Sequence, residues 1–231
     1  MGHRTLLLAI AVGLLVTTAL GGGWAGAGFG WDAANAVGFA AAALIVFLHV
    51  ETGAARNRPA AHAAFHSKLH ANVAALALGL AVVHVLALVA DDRLTLEYWK
   101  LSAPPYMLTG FVALFAMVAI VASAYPRPRR AVFDSPQRFR RIHGVASLVL
   151  TALVAWHVTG SALYLDTRVK QTLFVAAFVG VPAWLSLRPA FERPLIDVPP
   201  RAAGEARRET VWIGAALLAV AAAFTLLRNV S

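Results

Sequence analysis

The sequence predicts an all-α membrane protein, a polytopic bundle of about seven transmembrane helices. Of its 231 residues, 60% are hydrophobic and only 13% are charged, whereas a soluble domain carries about 25% charged residues. The mean hydropathy is +0.70. Apolar runs of span length recur from one end of the chain to the other, so one helical bundle accounts for its whole length.

Seven apolar runs are predicted to be spans, because each is close to the ~20 residues that cross the hydrocarbon core as a helix. They cover residues 5–24, 31–50, 69–90, 103–125, 142–165, 170–188 and 210–228. The first run also has the outline of a cleavable signal peptide, but it is slightly long for a signal core, which favours a retained helix. The Pro104 and Pro105 pair is expected to begin the fourth span.

The distribution of basic residues predicts the orientation of the spans. With the N-terminus in the cytoplasm, the inner segments hold fifteen of the Lys and Arg residues and the outer segments hold five. This positive-inside bias explains the net charge of +9 without a nucleic-acid partner. The sequence therefore predicts an integral protein of a bacterial inner membrane, with the N-terminus cytoplasmic and the C-terminus outside.

Two of the predicted spans carry pairs of histidines at the same spacing. His70 and His84 lie in the third span, His143 and His157 lie in the fifth, and each pair is fourteen residues apart. Fourteen residues end about 40° short of four full helical turns, so both members of a pair share one face, and they rise about 21 Å. Since one span separates these two helices, they run parallel. His70 is then level with His143, and His84 with His157.

Two level pairs of imidazoles predict two metal centres, one near each membrane surface. Imidazole pairs within a helix bundle suit the iron of b-type haem, so the four histidines are the candidate ligands of two b haems. The absence of cysteine excludes thiolate-ligated clusters and c-type haem attachment. Lys68, Arg140 and Arg141 lie within a turn of the inner histidines and could pair with haem propionates; a role as plain membrane-surface cations is equally open.

Other residues give weaker signals. His66 is an alternative inner ligand, but from His66 to His84 a helix rises about 27 Å, one turn out of register with the partner pair. His3, His49 and His62 stand at the terminus, at the end of a span and before a span, and no metal role is expected of them. Small residues such as Gly144 and Gly160 would let a flat macrocycle approach a helix, although ordinary membrane helix packing explains them too.

The segments RRIHGVASLVLTALVAWH and KLHANVAALALGLAVVH resemble the ferric-reductase-like transmembrane domain. That superfamily includes ferric reductases, the membrane part of NADPH oxidases and the haem-binding subunit of the bacterial periplasmic methionine sulfoxide reductase system. The resemblance implies that His70 and His143 ligate an inner b haem, and that His84 and His157 ligate an outer one.

The same resemblance implies a division of the chain into three parts. Residues 35–188 would form the haem-binding core. Residues 1–34 would supply an N-terminal helix and an outer loop, and residues 189–231 an inner loop and a C-terminal helix. The implied function is a di-haem b cytochrome, the electron-transfer membrane subunit of an oxidoreductase, which passes electrons from a cytoplasmic-side donor to an extracytoplasmic acceptor.

The chain departs from the NADPH oxidases and most ferric reductases in one respect. No cytoplasmic flavin and nicotinamide domains follow the spans, and no dinucleotide-binding glycine fingerprint follows a strand. Electrons are therefore expected from a separate reductase that carries FMN or FAD, from a bound flavin, or from quinol. The alternative function is a histidine-lined transporter or metal-ion permease without haem. Such a transporter would tend to place acidic residues inside its spans, where this chain has them only at the ends, as at Asp32.

Overall fold

The computed structural model of the protein describes residues 28–55, 60–187 and 200–229, which are almost entirely helical and contain no strand. Five helices in this part of the chain are long and apolar enough to cross a membrane. The predicted all-α membrane bundle is thus confirmed. The predicted first span, 5–24, lies outside the described residues.

Eight α-helices, numbered here in chain order, make up most of the described structure. They are α1 (Phe29–Ala55), α2 (Ala60–Asp91), α3 (Pro105–Ala124), α4 (Pro126–Val132), α5 (Pro136–Ser161), α6 (Arg168–Val175), α7 (Val181–Leu187) and α8 (Pro200–Asn229). A 3₁₀ helix, Arg93–Trp99, follows α2, and a π-helical turn, Ala176–Gly180, joins α6 to α7. The five candidate spans lie in α1, α2, α3, α5 and α8.

The predicted sixth span is a helix with a local irregularity. Residues 168–187 are helical throughout, but the π turn divides the run into α6 and α7. Gly180 ends this turn and Pro182 follows it closely. Because proline has no backbone N–H to donate, regular α-helical bonding is interrupted near this point.

Several helices extend beyond the apolar runs from which they were predicted. The sequence analysis left 51–68 between two predicted spans, whereas α1 continues to Ala55 and α2 begins at Ala60. Similarly, α8 begins at Pro200, ten residues before the predicted start of its apolar run. Hydropathy marks only the part of a helix that meets hydrocarbon, and the polar turns at its ends leave no apolar signal. The prediction that Pro105 begins a helix is confirmed.

Helix α1 is the most enclosed of the spans. It packs against α2, α5, α7 and α8, and every residue from 40 to 47 is buried. Many of these residues are alanines, whose small side chains let neighbouring helices approach closely. Helix α3 packs against both α2 and α5, but no extensive backbone packing joins α2 to α5 among the described elements. The two helices that carry the histidine pairs are therefore held in place by their neighbours.

The outer surface of the bundle is apolar. Large hydrophobic side chains are exposed along α2, α3 and α5, among them Val83, Leu86, Val112, Phe115, Val145, Val149 and Trp156. In water such a surface would favour aggregation, whereas in a bilayer it meets lipid. Together with the five candidate spans, this surface identifies an integral membrane protein.

Candidate functional site

The two histidine pairs face each other between α2 and α5. The ring centres of His70 and His143 are 6.2 Å apart, and those of His84 and His157 are 6.5 Å apart. The first histidine of α2 faces the first histidine of α5, and the second faces the second. Helices α2 and α5 are therefore parallel, and the rings pair as the fourteen-residue spacing predicts.

These separations suit a metal ion between two imidazoles. A metal–imidazole bond is about 2 Å long, and each ring nitrogen is about 1 Å from its ring centre, so two rings on opposite sides of one ion have centres about 6 Å apart. Simple aromatic packing covers the same range of distances. The hydrogen bonds of the ring nitrogens are therefore needed to distinguish a ligand pair from a packed pair.

In the second pair, hydrogen bonds to the main chain determine which ring nitrogen carries the proton. Nδ1 of His84 donates to the carbonyl oxygen of Ala34 at 2.8 Å, and Nδ1 of His157 donates to that of Tyr106 at 2.9 Å. A carbonyl can only accept, so each Nδ1 carries the proton and each Nε2 keeps an unprotonated lone pair. This is the tautomer and the type of supporting hydrogen bond that metal-ligating histidines use.

A glycine stands one helical turn beyond each of these carbonyls. A Cβ atom on Gly38 would lie 2.8 Å from Nδ1 of His84, and one on Gly110 would lie 2.6 Å from Nδ1 of His157. No side chain fits at either position while the imidazole stays in place. We call the pairs Ala34 with Gly38, and Tyr106 with Gly110, the carbonyl–glycine motifs. Helix α1 supplies one and α3 supplies the other, so each histidine of this pair is held by a different neighbouring helix.

The first pair is held differently. Nδ1 of His143 is buried and has no hydrogen-bond partner among the described residues, which costs about 1–3 kcal/mol. The His143 ring packs on Phe139, with ring centres 5.1 Å apart, and the guanidinium of Arg129 lies 4.3 Å from the centre of the Phe139 ring. This unpaired Nδ1 is consistent with a site at which His143 contacts a bound group as well as the protein.

The three candidate cations lie at the same end of the bundle as this first pair. The side chains of Lys68, Arg140 and Arg141 are all exposed. Arg140 and Arg141 precede His143 by less than one turn of α5, and Lys68 precedes His70 by two residues. The structure thus places the cations near the first pair in the chain and leaves their charged ends on the surface.

His66 is engaged elsewhere. Its Nδ1 pairs with the carboxylate of Glu51, and both residues are buried, at 3% and 1% exposure. This ion pair joins α1 to α2 and leaves His70 as the ring that faces His143. The sequence analysis missed the pair. The available signal was that two ionisable residues stand at the facing ends of consecutive apolar runs, where neither could be buried alone.

Two further residues that the sequence analysis considered form contacts between helices. His49 connects helices, since its Nε2 lies 3.2 Å from the hydroxyl oxygen of Thr151 on α5. Gly160 serves helix packing, because a Cβ there would lie 2.4 Å from Cβ of Tyr106. A Cβ on Gly144 would meet nothing within 4 Å. His3 and the side chain of His62 lie outside the described residues.

Each of the two sites brings two imidazoles together. Within the described part of the chain, no group of three or more His, Asp or Glu side chains converges on a point that could hold a metal ion. A bare ion would thus have only two protein ligands at each site, whereas structural metal sites normally provide four. The arrangement fits a metal that is supplied within an organic cofactor, as iron is in haem.

Residues 36–154 match the protein family described as the ferric reductase like transmembrane component. The match spans just over half of the chain. It contains His70, His84 and His143, and it ends three residues before His157. No curated protein and no solved structure matches the chain.

Proposed function

Because the chain belongs to the ferric-reductase-like transmembrane family, we propose that it is a di-haem b cytochrome that carries electrons across a membrane. Membership of the family supports a membrane electron-transfer function. The number of haems, their ligands and the direction of transfer are our proposal. The observation that carries it is that two pairs of imidazole rings face each other at two levels of the same two helices, with ring centres 6.2 Å apart in one pair and 6.5 Å apart in the other.

The residues fit two haems in the following way. His70 and His143 would hold one haem, and His84 and His157 would hold the other. Bound haem would supply reversible one-electron chemistry at its iron. The protein would hold the imidazoles in the ligating tautomer, exclude water with the apolar side chains of α2 and α5, and pair haem carboxylates with nearby cations. Lys68, Arg140 and Arg141 are the cations proposed for this pairing.

We propose that the His70–His143 pair is the inner one, at the cytoplasmic face of a bacterial inner membrane. The basis is the positive-inside bias of the segments at that end, above all the six arginines of 126–141. Electrons would enter there from a separate reductase with FMN or FAD, from a bound flavin or from quinol. They would leave through the outer pair to an extracytoplasmic acceptor. In this division residues 35–188 form the haem-binding core.

Haem content tests the proposal directly. The protein is produced with a haem supply, purified in detergent, and assayed by pyridine haemochrome and by electron paramagnetic resonance. The expected result is about two b haems per chain and two low-spin ferric signals. A folded protein without haem would refute the proposal, and one haem per chain would refute the di-haem form. Uptake of a divalent metal into proteoliposomes by haem-free protein would instead establish the permease alternative.

A further inference from the structure

A buried carboxylate lies at the beginning of α1, where the proposed function gives it no task. Asp32 is 0% exposed. Its carboxylate accepts hydrogen bonds from the hydroxyl of Tyr164 at 2.7 Å and from the side-chain amide of Asn229 at 3.0 Å. Nε of Arg228 lies 3.5 Å from the same carboxylate. We call these four residues the Asp32 cluster.

The cluster joins three distant parts of the chain. Asp32 is in the first turn of α1, Tyr164 follows α5, and Arg228 and Asn229 end α8. The guanidinium of Arg228 also lies 5.0 Å from the centre of the Tyr164 ring. Burial, with the hydrogen bond to Asp32, raises the pKa of Tyr164, so its hydroxyl keeps the proton that it donates. A buried carboxylate satisfied on both oxygens fixes the position of the turn that carries it.

The same part of α1 contains the main-chain carbonyl that holds His84, one of the proposed haem ligands. Ala34, whose carbonyl accepts from Nδ1 of His84, is two residues after Asp32, and Gly38 is one turn further. The first turn of a helix lacks intrahelical partners for its N–H groups and frays easily. A shift of this turn would move the Ala34 carbonyl and release the His84 ring. The Asp32 cluster therefore lies within one turn of Ala34, the acceptor in the carbonyl–glycine motif on α1.

The other supports come from residues outside this cluster. His157 is held by Tyr106 and Gly110 on α3, and α3 begins at the Pro104 and Pro105 pair and packs closely on Gly160. The His70–His143 pair lies about 21 Å further along the helices. A disturbance of the Asp32 cluster should therefore reach the centre that contains His84 and leave the other centre unchanged.

We propose that Asp32, Tyr164, Arg228 and Asn229 are positioning residues for the His84–His157 centre, and that α8 acts on this centre through α1. The inference rests on the proposed function, since it takes His84 as a haem ligand. None of the four residues lies within the stretch 36–154 that matches the family. The cluster therefore lies outside the matched region of the chain.

The test uses purified, haem-loaded full-length protein and three variants. Tyr164→Phe removes one hydrogen bond without changing shape. Asp32→Asn combined with Arg228→Gln removes both charges together, so that no unpaired charge stays buried. Glu205→Gln is the matched control, because Glu205 pairs with the exposed Arg201 at 3.1 Å near the beginning of α8, at the opposite end of this helix from Arg228 and Asn229. The readouts are the two low-spin signals, the two midpoint potentials and the retention of haem, with the His84→Ala spectrum identifying the outer signal.

We expect Tyr164→Phe and the double variant to shift the outer signal and its potential, and to weaken retention of the outer haem about tenfold or more. The inner signal and the Glu205→Gln protein should match the wild type. Unchanged outer signals in both test variants would overturn the inference, as would an equal disturbance of both haems. If the wild-type protein contains no haem, the proposed function is overturned, and the inference with it. This outcome differs from one in which the wild type contains haem and the variants do not change its outer signal.

Discussion

At the scale of single residues, the closest constraints on the two outer histidines come from glycines on neighbouring helices. Gly38 and Gly110 each leave room for one imidazole, and any larger residue would push its Cβ to within 3 Å of a ring nitrogen. This contact is shorter than real Cβ contacts permit, so the ring or the helix would have to move. Either movement lengthens the hydrogen bond from Nδ1 to the main-chain carbonyl.

Replacing Gly38 or Gly110 with alanine should therefore damage the outer haem alone. The expected result is a loss of haem affinity of about 10- to 100-fold at that site, as for other changes to groups that orient metal ligands. Spectroscopic titration of each variant with haem measures it. Gly204→Ala on α8 is the control, since a Cβ there meets nothing within 4 Å. Two intact low-spin signals in both glycine variants would contradict the prediction.

The sequence predicted the histidines and missed most of what holds them. An imidazole inside an apolar run is visible in a sequence, and its spacing predicts its partner. The acceptors at Ala34 and Tyr106 are main-chain carbonyls, which every residue possesses and no sequence distinguishes. The Asp32 cluster was missed for another reason, since Tyr164 and Asn229 are 132 and 197 residues away from Asp32 in the chain.

At the scale of helices, the sequence predicted the cores of the spans and missed their polar ends. The short helix α4 lies within a stretch that was predicted as a loop. Arg127 and Arg130 are exposed on it, whereas Arg129 lies over Phe139. Helix α4 thus presents positive charge at the end of the bundle where electrons are proposed to enter. An acidic electron donor should be attracted to this surface.

Reduction of the haems by an acidic flavoprotein should therefore slow as salt is added. Raising the ionic strength from about 0.01 to 0.15 M shortens the screening length from about 30 to 8 Å, and the bimolecular rate should fall several-fold. Stopped-flow absorbance measures the rate. In the variant with Arg127→Gln and Arg130→Gln the rate should be lower and less sensitive to salt. An uncharged quinol serves as the control donor, and a salt-independent rate with the flavoprotein would favour plain positive-inside topology.

At the scale of the whole molecule, orientation can be measured without background labelling, because the chain contains no cysteine. Leu101, in the connection before α3, is 93% exposed, and Arg130 is exposed on α4. These positions lie at opposite ends of α3. With the N-terminus in the cytoplasm, Leu101→Cys should react with a membrane-impermeant maleimide in intact cells. Arg130→Cys should react only after permeabilisation. The reverse pattern would invert the proposed direction of electron transfer.

The two proposed haem sites should respond to histidine replacement as two units. His70→Ala or His143→Ala should remove the inner low-spin signal, and replacing both should do little more, because the two rings serve one iron. His84→Ala should instead remove the outer signal. Difference spectra and haem content of each variant measure this. Loss of the same haem in every variant would establish a mono-haem protein.

His66 provides an internal control for these replacements. His66→Ala should leave both haems in place, since its ring pairs with Glu51. It should nevertheless destabilise the fold by about 3–5 kcal/mol, because it leaves a buried carboxylate uncompensated. Thermal denaturation of the haem-loaded protein measures this loss. If His66→Ala removes a haem and His70→Ala does not, the register of the inner pair is wrong by one turn.

The use of main-chain carbonyls as the partners of His84 and His157 has a consequence for how such a protein can diverge. A carbonyl cannot be lost by point substitution, so a change of side chain at Ala34 or Tyr106 does not itself remove the acceptor. The glycines have no such freedom. Related sequences should therefore keep glycine itself at positions 38 and 110, whereas the side chains at positions 34 and 106 are constrained only by their packing. A comparison of such sequences would then identify these two histidine sites by the glycines that face them.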